Sequence, residues 1–294
     1  MKPWQFRQKT PGFGVSAGFY ITVLAGTAQL PTMRQVVEPK GAGGAVLGFG
    51  VPLAHSATKE DLERPLLRGV YGLASPNRQT VIKLMVVPKE EAGFDPELFL
   101  RSAEARSLSQ EHLARISATW TLLQFTFETH EAMVYPSLKF LTQVLRRFAE
   151  LTNGIISDPI SRVYRLPGEL EHQPQTDNRI DARDFVDVRY GPERLWAYTR
   201  GLQKFSQPEL EVFGVPPQLQ PIAEQFLIGV SQSVLTGNLL ALGGFLGSRK
   251  CPLQLAPGGL DRGQWEGVEC FELIPPSGSS VADALKEWAE DSRR

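Results

Sequence analysis

The chain has little of what most directly announces chemistry: 2 cysteines and 4 histidines in 294 residues. Cys251 and Cys270 cannot build a disulfide framework, and with no CxxC partner they cannot supply a four-ligand zinc site. They read as small packed residues. No two of His55, His112, His130 and His172 fall within one helical turn, so no metal-ligand pairing is expected. Charge of one sign is missing too: 31 Lys+Arg oppose 32 Asp+Glu, for a formal net charge of -1. A protein that grips phosphate backbones over its whole surface needs a basic excess, so nucleic acid is not an expected partner. Disorder is excluded as well, because 42% of the residues are hydrophobic against 21% charged.

Two apolar stretches imitate targeting or membrane segments. Lys2, Arg7 and Lys9 precede a charge-free run from Thr10 to Met33, with small residues at Ala25, Gly26, Thr27 and Ala28. That is the outline of a secretory signal. Its middle, Phe19 to Leu24, is however rich in β-branched and aromatic residues, and Gly12, Gly14 and Gly18 dilute the run. A buried strand is the expected outcome. From Gln225 to Ser248 no charge appears, yet Ser231, Gln232, Ser233 and Asn238 interrupt the run. It divides into a helix up to Thr236, a Gly237-Asn238 stop and an apolar strand near Leu239–Leu242. The expectation is a soluble, cytoplasmic protein with no membrane partner.

The pattern along the chain alternates strands and helices. Strands are expected at Phe19–Ala25, Ala45–Pro52 and Thr80–Pro88, and short helices near Thr32–Val37 and from Ser56 to Leu67. Asp95-Pro96-Glu97 opens another helix, with a capping carboxylate and proline at the first helical position. Ile116–Glu128 alternates as a strand; a helix from Pro136 then ends at Asn153-Gly154, and Ile155–Leu166 returns as a strand bent at Pro159. This β-α-β succession predicts parallel pairing of the two strands. Later strands are expected at Phe185–Tyr190, Leu195–Thr199 and Val268–Ile274, with helices at Pro221–Thr236 and after Ser280. The polar, turn-rich stretch from Pro167 to Asp181 reads as a joint. The expected architecture is therefore an α+β fold of two lobes, residues 1–167 and 168–294, each a small mixed sheet covered by helices on one side. One continuous mixed α/β sheet is the alternative.

Most catalytic motifs fail on inspection. The glycines from Gly41 to Gly50 are not followed by Gly-Lys-Ser/Thr, so they do not make a phosphate loop. Gly229-Val230-Ser231-Gln232-Ser233 lacks the final glycine of a nucleophile elbow and sits within an expected helix. Asp177, Asp181, Asp184 and Asp187 cluster, and Asp158 or His172 is a further candidate to join them in space. Arg179, Arg183 and Arg189 are interleaved with them, and no glycine supplies a calcium-loop turn. Local ion pairing on a solvated face is the expected role. No catalytic residue, metal or cofactor is assigned.

The strongest local signature is LWAYTRGLQKFSQPELEV, from Leu195 to Val212. Within it Thr199, Gly201, Phe205, Pro208, Glu209, Leu210 and Glu211 make the pattern T-x-G-x-x-x-F-x-x-P-E-L-E. The pattern resembles a motif of bacterial domains of unknown function, some encoded beside immunity and conflict-type proteins. That resemblance is centred on the motif and implies no catalytic residue. Physically, the stretch reads as a strand ending at Gly201, a turn packed by Phe205 and an extended segment from Leu210. Trp196, Tyr198 and Arg200 would share one strand face, and Glu209 and Glu211 follow the turn. Aromatic and arginine side chains dominate protein interfaces, so these five residues are the candidate partner-binding set. Core packing for Trp196 and Tyr198, and a capping role for Glu209 with Ser206, are the competing readings. The expected function is a non-catalytic protein that binds another protein; a hydrolase with an acidic site in a cleft between the lobes is the alternative.

Overall fold

Burial on both faces marks β1 (Tyr20–Ala25) as a central strand: Ile21, Val23, Leu24 and Ala25 are all buried. The computed structural model describes residues 19–38, 47–52, 60, 63–129, 134–170, 181–191, 195–259, 265 and 267–293. These form two compact units, residues 19–170 and 181–293, in an α+β fold with one sheet in each unit.

In the first unit β1 is followed by α1 (Met33–Val37), β2 (Phe49–Pro52), β3 (Gly69–Ala74), β4 (Thr80–Pro88) and α2 (Pro96–Leu100). Then come α3 (Gln110–Ser117), β5 (Thr121–Thr129), α4 (Val134–Leu151), β6 (Ile155–Asp158) and β7 (Val163–Arg165). The strands make a 7-stranded sheet in the order β2-β3-β4-β5-β1-β6-β7, and every pairing in it is antiparallel. Val23, Leu123 and Ile156 stand in register on the face that α4 covers, where Phe125 meets Phe148 at 5.3 Å. On the opposite face Leu24 and Ile155 pack with Ile116 of α3, beside Phe99, Leu108, Leu122, Tyr164 and Leu166. Local signals set the helix starts. Thr32 and Gln35 form a capping box for α1, and the Asp95 carboxylate accepts the N–H groups of Glu97 and Leu98 at the head of α2.

The structure revises several sequence expectations in this unit. β5 and β6 run parallel, but they are not neighbours: β1 lies between them, antiparallel to both. The β-α-β unit is thus of the split kind, because the N-terminal strand fills the gap that the α4 crossover leaves. Ile116 belongs to α3, and the strand begins only at Thr121. The apolar spacing of Ile116 with His112 is helical, and Ser109 caps it. Residues 155–166 are two strands joined by a tight turn, in which the Asp158 carboxylate accepts from the Ile160 and Ser161 amides. β3 lies where the pattern predicts no element. Half of the helix expected at Ser56–Leu67 and most of the joint at 168–181 lie outside the described residues, as does the start of the Ala45–Pro52 strand; the described end of that helix, residues 63–67, is turn and irregular chain, because Pro65 bridges to Thr32 instead.

The second unit contains β8 (Asp187–Gly191), β9 (Trp196–Arg200), β10 (Glu209–Val212), α5 (Gln220–Leu235), β11 (Phe245–Gly247), β12 (Pro252–Pro257), β13 (Cys270–Ile274) and α6 (Val281–Asp291). Its 6-stranded sheet has the order β11-β12-β13-β10-β9-β8. This sheet is mixed, with β10 and β13 parallel. α5 buries Ala223, Phe226, Leu227 and Val230, and Phe226 meets Trp288 of α6 edge-on at 5.2 Å. The Tyr190 hydroxyl donates to the Gln220 carbonyl at 2.7 Å, which fixes the start of α5 on the Ala197 side of the sheet. α6 opens on a Ser280–Asp283 capping box. The strand expected at Leu239–Leu242 is irregular chain, with its place taken by β11; β12 comes from a stretch where no strand is expected. Among the described residues no helix is long and apolar enough to cross a membrane.

Candidate functional site

Strand register decides which side chains share a surface. Tyr198 stands opposite Arg189 on β8 and Glu211 on β10, and Glu211 stands opposite Glu272 on β13. Arg200 faces Asp187, and Trp196 faces Gly191. Residues in register point to the same side, so Trp196, Tyr198, Arg200, Glu211 and Glu272 lie on the face away from α5. Aromatic rings gather there. Trp196 packs on Tyr198 at 4.3 Å and stacks with Phe213 at 5.7 Å. Trp265 meets Tyr198 edge-on at 5.4 Å, and the Arg200 guanidinium lies 5.8 Å from the centre of the Trp265 ring. Trp196, Tyr198, Arg200 and Phe213 are half-buried, whereas Trp265 is buried. Gly191 makes room for this cluster, since a Cβ there would come within 2.4 Å of the Trp196 indole.

The two glutamates have a different setting, fully buried at 0% exposure. Glu209 is held by three donors: the Gly201 amide at 2.7 Å, the Gln203 amide at 3.1 Å and the Thr199 hydroxyl at 2.8 Å. The Thr199 hydroxyl in turn accepts from the Leu210 amide at 2.8 Å. Gly201 has φ 129, a backbone state that favours glycine, and it leads into the short helical turn Leu202–Phe205. Phe205 fills the core beside Phe185 at 5.9 Å. The motif residues Thr199, Gly201, Phe205, Glu209 and Leu210 are therefore one closed structural unit. Glu209 does cap the turn, but its hydrogen-bond partners are Thr199 and the turn amides. Glu211 is clamped separately: its carboxylate accepts from the Gly259 amide at 2.5 Å and from the Trp265 indole N–H at 3.0 Å. The structure thus places Trp196, Tyr198, Arg200 and Glu211 on one face, with Glu211 buried there against Trp265, and encloses Glu209 in the turn that follows Arg200. Phe213, Trp265 and Gly191 complete the cluster and are absent from the sequence-derived set. Trp265 enters from a distant loop and is tied to the signature by its indole bond to Glu211 and by its ring contacts with Tyr198 and Arg200.

Burial governs the protonation of this region. It pushes the Glu209 carboxyl above the usual glutamate range, against the pull of the donors around it. Glu272 is raised by burial and then by the charge of Glu211. Burial, with Glu211, Glu209 and Glu272 nearby, also pushes the Cys270 thiol up, which makes it a poor nucleophile. A carboxyl raised on folding binds protons more readily in the folded state. Its contribution to stability is complete below the unfolded value and is lost as pH rises through the folded value. The melting temperature of the second unit is therefore expected to rise by a few degrees as pH falls from about 7.5 to about 5. Glu272→Gln should flatten part of that slope. Asp283 is lowered by its Ser280 cap, and its contribution is lost only at pH below this window. A melting temperature that falls steadily over the same range would contradict the reading.

The aspartates have local duties. Asp181 accepts from the Arg183 amide and pairs with its guanidinium, Asp187 pairs with Arg189, and Asp158 closes the β6–β7 turn of the first unit. Asp184 is buried, and Asp177 and His172 lie outside the described residues. Among the described residues no group of three or more His, Cys, Asp and Glu side chains is placed to hold a metal ion. No protein family matches the chain, and neither a curated protein nor a solved structure does.

Proposed function

We propose that the chain is a bacterial cytoplasmic recognition protein, immunity-like in kind, that binds another protein through the face of the second sheet carrying Trp196, Tyr198 and Arg200. The observation behind this reading is the half-buried aromatic cluster with its arginine, on the sheet face opposite α5. Such clusters supply rigid apolar area at low entropic cost, and arginine adds a directional charge. The motif that resembles one in conflict-associated domains continues from the strand of this face into the turn at Gly201. Glu209 and Glu211 act in this reading as supports, by fixing the turn at Gly201 and the position of Trp265.

Core and interface roles separate by experiment. Tyr198→Ala and Arg200→Ala are each expected to weaken capture of the partner from the source cells at least tenfold, the ~1.4 kcal/mol or more typical of central interface residues. Their melting temperatures should stay within a few degrees of the parent chain. Quantitative co-purification and thermal melts check both. Wild-type capture by both variants, or unfolding of both, would overturn this reading.

A further inference from the structure

Away from the recognition face, the first unit holds a chain of hydrogen-bonded polar side chains at the head of α3. The Ser109 hydroxyl lies 2.6 Å from Nδ1 of His112, and Nε2 of His112 lies 3.0 Å from Oε2 of Glu169. A carboxylate only accepts, so the ring proton belongs on Nε2, and Nδ1 is left to accept from the serine hydroxyl. This is the order of nucleophile, base and orienting carboxylate that activates a serine. Ser109 also caps α3, but its bond from the His112 amide is loose at 3.4 Å. The hydroxyl engages the ring more closely than the helix.

Three features support a chemical role for the arrangement. The spacing Ser-x-x-His places the base one helical turn after a nucleophile at a helix start, as the serine and lysine of Ser-x-x-Lys enzymes are placed. The amides of Gln110 and Glu111 belong to the first turn of α3, where the helix itself supplies them no acceptor. The amide of the residue after the nucleophile is a usual oxyanion donor. Both limbs are also fixed by one core. Leu108, just before Ser109, and Leu166, whose amide donates to Glu169 at 2.8 Å, both pack against Leu24, Ile116 and Ile155. His112 is 9% exposed, whereas Ser109 is open to solvent.

We propose that Ser109, His112 and Glu169 form an acyl-transfer site that hydrolyses carboxylic esters. Ser109 Oγ attacks the acyl carbon as its proton passes to His112 Nδ1, and the oxyanion is met by the Gln110 amide. Collapse breaks the ester C–O bond, and the departing alkoxide takes the proton from His112. Water then attacks the acyl-serine and gives one proton to His112, which returns it to Ser109 as the carboxylic acid leaves. Ser109 is the nucleophile, His112 the base, and Glu169 a positioning residue that holds the tautomer. The exposed nucleophile suits small, reactive acyl groups better than stable amides. This site belongs to the first unit, so its failure and that of the recognition face are independent results.

A fluorophosphonate probe, applied to the full chain, tests the proposal. The expected result is a single adduct, mapped to Ser109 by peptide mass spectrometry. Ser109→Asp keeps a good helix cap and should lose the adduct with little change in melting temperature. His112→Gln should slow labelling at least tenfold; Glu169→Ala should slow it severalfold, with partial rescue by Glu169→Gln, whose amide oxygen still accepts from Nε2–H. No adduct at Ser109 in the folded chain, or wild-type labelling of His112→Gln, would overturn the site. Wild-type labelling of Glu169→Ala would remove the carboxylate from it.

Discussion

Glu209→Ala is expected to destabilise the second unit by about 4 kcal/mol, roughly 15 °C in melting temperature for a unit of this size. The carboxylate satisfies the Gly201 and Gln203 amides and the Thr199 hydroxyl, and it does so at 0% exposure. Alanine leaves the Gly201 and Thr199 donors buried and the Gln203 amide part-buried without an acceptor, each costing about 1–3 kcal/mol when water cannot replace the partner. Removing the charge also removes its burial cost, which is why the expected loss is less than the sum of the three. Glu209→Gln should fall between, because one amide oxygen remains to accept while the NH2 group opposes the donors it meets. Chemical unfolding followed through Trp196, Trp265 and Trp288 would measure these losses. A Glu209→Ala loss below about 1 kcal/mol would mean that the turn from Gly201 to Phe205 holds without its buried acid.

The regular spacing of the motif has a structural basis in its own hydrogen bonds. Sequence shows which residues recur in a pattern, and Thr199, Gly201, Glu209 and Leu210 form one through hydrogen bonds to each other and to the turn. A glutamate in a short strand carries no sign of whether it points to solvent or to three donors. Alternation was more informative: Trp196, Tyr198 and Arg200 do share a face, as their spacing predicts. Their neighbours on that face come from β8, β10, β13 and the loop at Trp265, which local periodicity cannot reach. The same limit hides the acyl-transfer candidate, since Glu169 stands 57 residues from His112 and meets it only through tertiary packing. Helix starts were the most legible features, because Thr32, Asp95 and Ser280 bond to amides within three residues of themselves. Topology was least legible: helix α4 announces a crossover, but nothing local states that β1 fills the space between β5 and β6.

That insertion of β1 leads to the second large effect, at a glycine whose role differs from the one its spacing suggests. Asn153-Gly154 looks like an ordinary left-handed helix stop. The left-handed residue is Asn153, at φ 47, whereas Gly154 is needed for a close approach. A Cβ on Gly154 would lie 2.6 Å from the Leu24 carbonyl oxygen and 2.8 Å from Thr152 Oγ1. Leu24 pairs with Ile155, so the added methyl would force β6 away from β1 at the first rung of their ladder. The strain would also reach the Arg115 bond to the Gly154 carbonyl, at 3.0 Å, and through it the packing of α3. Gly154→Ala is expected to cost the first unit about 3 kcal/mol, the upper range for overpacking against immobile backbone. Asn153→Gly, one residue earlier, should change stability by no more than about 0.5 kcal/mol, because glycine accepts the left-handed state without strain. Denaturant unfolding of the two variants separates the roles. If Gly154→Ala were as mild as Asn153→Gly, backbone shifts at β6 would be cheap, and the split β-α-β arrangement would not depend on a residue without a side chain at its junction.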